Sequence, residues 1–142
     1  KKLGDDKVNF NLAISLHSAS DDKRNLLMPL NKKINLSKLK EAVKYFYDKT
    51  GTRVTYEYIL FKNINDSIKD AQKLLEFIKS TPCKINLIEY NTVDELPYKK
   101  SSNTITKNFI EHLEGQNIIV NLRRSKGKDI AAACGQLANK LK

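Results

Sequence analysis

The chain has 142 residues, is 40% hydrophobic, and carries 26 Lys and Arg against 16 Asp and Glu, a formal net charge of +10. This length and apolar content suit one ordinary domain and exclude global disorder. No apolar run approaches the ~20 residues of a membrane span, no signal-peptide pattern follows the charged start, and two cysteines are too few for a disulfide framework or a four-ligand zinc site. The chain therefore reads as a soluble, cytoplasmic protein, a single unit over residues 1–142.

In chain order, residues 9–17 alternate: Phe10, Leu12, Ile14 and Leu16 point one way, Asn11, Ala13, Ser15 and His17 the other. Period two over this length predicts a strand with one oily and one small-polar face. Residues 18–33 read as a polar, charged connection containing Pro29. Leu39, Val43 and Phe46 define one face of a helix over about 39–48, with Ser37 as its candidate N-cap and Gly51 just beyond its end. Residues 53–61, rich in β-branched and aromatic types, predict the second strand.

Residues 63–66 have turn chemistry. Ser67 to Asp70 resembles a capping start, and Ile68, Ala71, Leu74, Leu75 and Ile78 form an amphipathic stripe that ends before Pro82. A third strand is expected over 84–90, a loop over 91–103, and a helix over about 105–113 stopped by Gly115. A fourth strand over 117–122 and a final helix over about 129–141, carrying Cys134, complete the series.

Strands alternating with helices predict an α/β fold with parallel strands. A small doubly wound sheet and part of a barrel both fit that order. The small-polar face of the first strand favours a barrel interior that holds a ligand, since strands sandwiched between helices are usually apolar on both faces. Three or four βα units cannot close a barrel alone. The chain is therefore expected to be the C-terminal part of something larger.

Ligands of parallel α/β sheets sit at the C-terminal strand ends. Three polar sets fall there: Ser15, Leu16 and His17 close the first strand, Glu89, Tyr90 and Asn91 the third, and Arg123, Arg124, Lys126 and Lys128 follow the fourth. Glu57 is either an inward carboxylate or a solvated edge residue. Cys134 is either a small packed hydrophobe or a thiol activated by the cations that precede it, which would depress its pKa. Cys83, beside Pro82, reads as structural. The positive charge favours a polyanionic partner, most simply nucleic acid, over a surface that merely confers solubility. No P-loop, G-x-G-x-x-G or H-E-x-x-H occurs, and no Cys/His spacing suggests a metal site within the chain.

Several stretches together are more specific. Residues 12–17 (LAISLH), 27–31 (LMPLN), 55–60 (TYEYIL), 63–66 (NIND), 84–91 (KINLIEYN) and above all 127–137 (GKDIAAACGQL) occur in this order. They resemble the C-terminal half of the RlmN/Cfr family of radical S-adenosylmethionine enzymes, over nearly the whole chain. The resemblance implies the C-terminal half of a partial (β/α)6 barrel, with a [4Fe-4S] cluster and S-adenosylmethionine as cofactors. It implies methylation of an adenine in 23S rRNA, and in some members of transfer RNA. In such a reaction a first S-adenosylmethionine methylates a cysteine and a second supplies a radical that activates the S-methyl group for addition to the ring.

By the same resemblance Cys134 matches the methyl-carrying cysteine. Ser15, Leu16 and His17 match a Ser-Leu-His that contacts S-adenosylmethionine, and Asn91 matches an Asn that also contacts it. The family's Cys-x-x-x-Cys-x-x-Cys cluster triad is not in this sequence, nor is its upstream resolving cysteine. The expectation is that the cluster-binding N-terminal half and an accessory RNA-binding domain lie outside the chain, and that the chain alone is inactive. A non-catalytic RNA-binding module is the alternative from another class. Within the family, adenine C8 is the alternative to C2.

Overall fold

The fold, among the described residues, is a parallel sheet with its three longer helices on one face. A computed structural model describes residues 11–91 and 97–124. The expected final helix, with Lys126, Lys128 and Cys134, lies outside the described residues, as do residues 9 and 10 of the expected first strand. Strands β1 (Ala13–Ser15), β2 (Val54–Leu60), β3 (Cys83–Glu89) and β4 (Ile119–Arg124) lie side by side in sequence order, all parallel. The connections hold helices α1 (Asp21–Leu27), α2 (Leu36–Thr50), α3 (Ile68–Ile78) and α4 (Asn103–Glu114), and a 3-10 turn at Pro29–Lys32.

Strand order decides between the two architectures left open above. Right-handed crossovers that always step to the next strand put every helix on the same side of the sheet. A doubly wound sheet requires a reversal of strand order, and this sheet has none among the described strands. The main core agrees. Leu36, Val43 and Phe46 of α2, Ala71, Leu74 and Phe77 of α3, and Phe109 and Leu113 of α4 pack on Val54, Tyr56, Tyr58, Leu60, Ile85 and Leu87. These strand residues alternate along β2 and β3, so one sheet face carries the core. A smaller cluster of Leu27, Ile59, Phe61, Tyr90 and Tyr98 packs around the C-terminal end of β2 and the segment after β3.

Local chemistry explains the element ends. Asn35, not Ser37, caps α2: its side chain accepts from the Lys38 N–H, and Leu36 enters the core as the first helical residue. Gly51 then leaves the helix in the left-handed region at φ 66°. Ser67 and Asp70 form a full capping box on α3, with Asp in the place more often taken by Glu. Buried Asp70 also pairs with Lys23 at 2.7 Å.

Other boundaries depart from the sequence expectation. The connection over 18–33 contains α1, whose charged residues concealed a seven-residue helix. The regular part of β1 stops at Ser15, because His17 turns the chain at φ 58°. The last strand runs two residues further than expected and ends at Arg124. Gly115 ends α4 at ordinary φ, and the left-handed residue there is Asn117 at φ 64°.

Candidate functional site

The sheet face opposite α2, α3 and α4 carries a polar row. Cross-strand register places Ser15 beside Glu57, Glu57 beside Asn86, and Asn86 beside Asn121, a row of polar side chains across all four strands. One pleat nearer the C-terminal ends come Ile59, Ile88 and Arg123. None of the apolar strand residues of the main core lies on this face. Ser15 is exposed, and Glu57 is half-buried with Arg123 Nη1 at 4.0 Å from Oε1. Glu57 thus lies half-buried on the open face, on a strand flanked by β1 and β3 and so not at the edge of the sheet.

At the C-terminal end of β1 the chain makes a tight turn. The Ser18 N–H donates to the Leu16 carbonyl at 2.8 Å around His17, whose positive φ is uncommon for a residue with a side chain. His17 is 5% exposed, and its Nδ1 accepts from the Ile59 N–H at 3.1 Å. Burial pushes its pKa down to about 4, helped by the Arg24 cation. A neutral imidazole whose Nδ1 is an acceptor carries its proton on Nε2, which makes Nε2 a donor.

The turn is fixed from behind by residues that sequence reasoning missed. Buried Arg24 donates through Nε to the Leu16 carbonyl (3.1 Å), through Nη2 to the Ser15 carbonyl (3.3 Å) and through Nη1 to Asn31 Oδ1 (2.5 Å). Asn31 Nδ2 in turn donates to Asp21 Oδ1 at 2.9 Å and Asn25 Oδ1 at 2.7 Å, and Asp21 Oδ1 also accepts from the Leu36 N–H. Fully buried Asn65 donates to the carbonyls of His17 (2.7 Å) and Ile59 (2.8 Å) and accepts from the Phe61 N–H (2.8 Å). Residues 63–66 were legible as a turn, but an Asn in a turn does not announce a contact 48 residues away. Arg24 gave no signal, because an Arg in a charged stretch is usually solvated.

The remaining expected residues fall as follows. Leu16 is fully buried in the main core, so only its backbone faces the turn, and its N–H is already given to the Glu57 carbonyl. Asn91 follows β3 at the same end of the sheet and is half-buried. Arg123 and Arg124 end β4 on opposite faces, both side chains largely exposed; Arg124 Nε lies 3.6 Å from Glu89, which also pairs with Lys100. The structure therefore brings Ser15, His17, Asn91 and Arg123 to one end of the sheet. Cys83 is buried in the core, and burial pushes its thiol up to about 11, as befits a structural cysteine. Among the described residues no group of three or more His, Cys, Asp or Glu is placed to hold a metal ion, and no helix is long and apolar enough to cross a membrane.

The four-strand parallel sheet with alternating helices matches part of a radical S-adenosylmethionine enzyme structure. A radical SAM methyltransferase from Sphaerobacter thermophilus superposes with a TM-score of 0.86 and 36% identity, over 95% of this chain and 40% of that one. A domain of the pyruvate-formate lyase-activating enzyme from Bacteroides vulgatus shares the fold, with a TM-score of 0.64 at 17% identity.

The particular relatives are RlmN proteins. The chain is homologous along nearly its whole length to proteins named "Probable dual-specificity RNA methyltransferase RlmN". It is 52% identical over 139 residues to that of Cytophaga hutchinsonii and 51% identical over 140 residues to that of Christiangramia forsetii. It spans 38% and 40% of their respective lengths. No family model matches the chain.

Proposed function

We propose that this chain is the C-terminal part of the catalytic barrel of an RlmN-type RNA methyltransferase. The complete enzyme methylates C2 of an adenine in 23S rRNA and in transfer RNA. The observation that carries this reading is that Ser15, His17 and Asn91 all follow or end strands at the C-terminal end of one parallel sheet, in a chain about half identical to RlmN relatives.

The donors at that end fit S-adenosylmethionine. The Ser15 hydroxyl, the His17 Nε2–H and the Asn91 side-chain amide are groups that hold a polar cofactor and fix its orientation. His17 stays neutral at physiological pH, so it donates a hydrogen bond without adding charge beside a sulfonium. When bound, S-adenosylmethionine supplies a methyl group to a thiolate and, after reductive cleavage, a radical. The three-cysteine [4Fe-4S] cluster of such enzymes does not fit this chain's own residues, whose only cysteines are Cys83 and Cys134. Its ligands would come from the rest of the enzyme.

Cys134, within GKDIAAACGQL, is the methyl carrier in this reading. Its thiol must lose a proton to accept a methyl group, and the cations at 123, 124, 126 and 128 are suited to favour the thiolate. Arg123 and Arg124, with Lys126 and Lys128 next in sequence, also suit contact with RNA phosphates. Nucleoside analysis of RNA treated with the complete, reconstituted enzyme tests the proposal. 2-Methyladenosine is the expected product; 8-methyladenosine would move the assignment to the C8 branch, and unmodified RNA would refute it.

A further inference from the structure

We propose that Arg24 and Asn65 are positioning residues that hold the Ser15–His17 turn in its cofactor-binding form. This inference rests on the functional reading above, and it assigns a role to two side chains outside the cofactor-contacting set.

The geometry is the argument. The carbonyls of Ser15, Leu16 and His17 are three consecutive acceptors, and each takes a hydrogen bond from one of these two side chains, at 3.3, 3.1 and 2.7 Å. With its carbonyls drawn towards buried donors, the turn leaves Ser15 exposed and holds the His17 ring in place, buried, through the Ile59 N–H. Neither donor is free to relax. Arg24 is 6% exposed and is tied through Asn31 to Asp21 at the start of α1. Asn65 has its amide orientation set by the Phe61 N–H, which only an oxygen can accept, while its Nδ2 bridges the His17 and Ile59 carbonyls.

Ile59 also supplies the N–H that holds His17 Nδ1. One residue of β2 is thereby linked to His17 twice, once directly and once through Asn65. The positive φ of His17 is a conformation that most residues avoid, and it persists only where its surroundings hold it. The turn is therefore over-determined at its backbone, which is what a site needs when its side chains must meet a ligand within a fraction of an ångström.

Two conservative substitutions test this. Arg24→Lys keeps the charge but replaces a three-way fork with a point donor. Asn65→Asp keeps the acceptor for Phe61 and removes the donor to His17 and Ile59. Gly51→Ala, at the far end of β2, serves as a destabilised control. In the complete enzyme, S-adenosylmethionine and RNA affinities are measured separately for each variant. Both clamp variants should weaken S-adenosylmethionine binding about tenfold, the effect of losing one or two well-placed hydrogen bonds, with RNA affinity within about twofold of the parent. The control should change neither. Unchanged S-adenosylmethionine affinity in both clamp variants would overturn the proposal, as would a parallel loss of both affinities or failure of both variants to fold. If the parent enzyme itself binds no S-adenosylmethionine, the functional reading fails and the positioning role falls with it.

Discussion

His17 shows how burial and a single backbone hydrogen bond keep one imidazole from titrating. Its imidazole accepts a backbone N–H, sits near Arg24 and is nearly excluded from water, and each of these disfavours the protonated form. The folded-state pKa, about 4, lies below the unfolded value of 6.5. The unfolded chain therefore binds this proton first as pH falls. The resulting loss of stability begins near pH 6.5, grows to about 3 kcal/mol by pH 4, and levels off below that. Urea denaturation of the parent and of His17→Gln from pH 7 to 4 checks this: the parent should lose more stability than the variant across that window. Ser15 and His17 were legible because strand alternation and a strand end are local signals. Arg24 and Asn65 were not, because their partners lie in elements that only the folded chain brings together.

All four strands and the three longer helices were legible as elements. Three apolar stripes, the Ser67 cap and the Gly51 stop could be read from spacing and residue type. Their ends moved by a few residues because Asn35 and Ser102 offered better caps than the start of the apolar stripe suggested. Gly51 is the element-scale test of this account. It adopts φ 66°, and an added Cβ would meet nothing within 4 Å. Any cost of Gly51→Ala is therefore backbone strain alone, about 1 kcal/mol. Chemical denaturation should show that loss, and Gly51→Asn should lose less, because Asn tolerates the left-handed region. The seven-residue α1 was hidden because its four charged residues leave too few apolar positions to show a period.

At the scale of the whole molecule, strand order and charge are the informative properties. The hydrophobic pattern predicts alternating strands and helices, but only the observed order β1-β2-β3-β4 and the core packing show that α2, α3 and α4 share one face. The polar row from Ser15 to Asn121 lies on the opposite face, and the strand-end donors lie at its C-terminal edge. A barrel interior has this character: polar where a ligand sits, walled by strands, and supported from outside by helices. The net charge of +10 suits a partner with a phosphate backbone.

The central claim is that a methyl group reaches RNA by way of Cys134. Replacing that sulfur removes the carrier while leaving Ser15, His17, Asn91 and the basic segment in place. The direct measurement is methylated adenosine formed by the complete, cluster-reconstituted enzyme carrying Cys134→Ala, compared with its parent by mass spectrometry of digested RNA. The account predicts that the variant binds RNA normally and forms no methylated adenosine. Undiminished methylation by Cys134→Ala would contradict it.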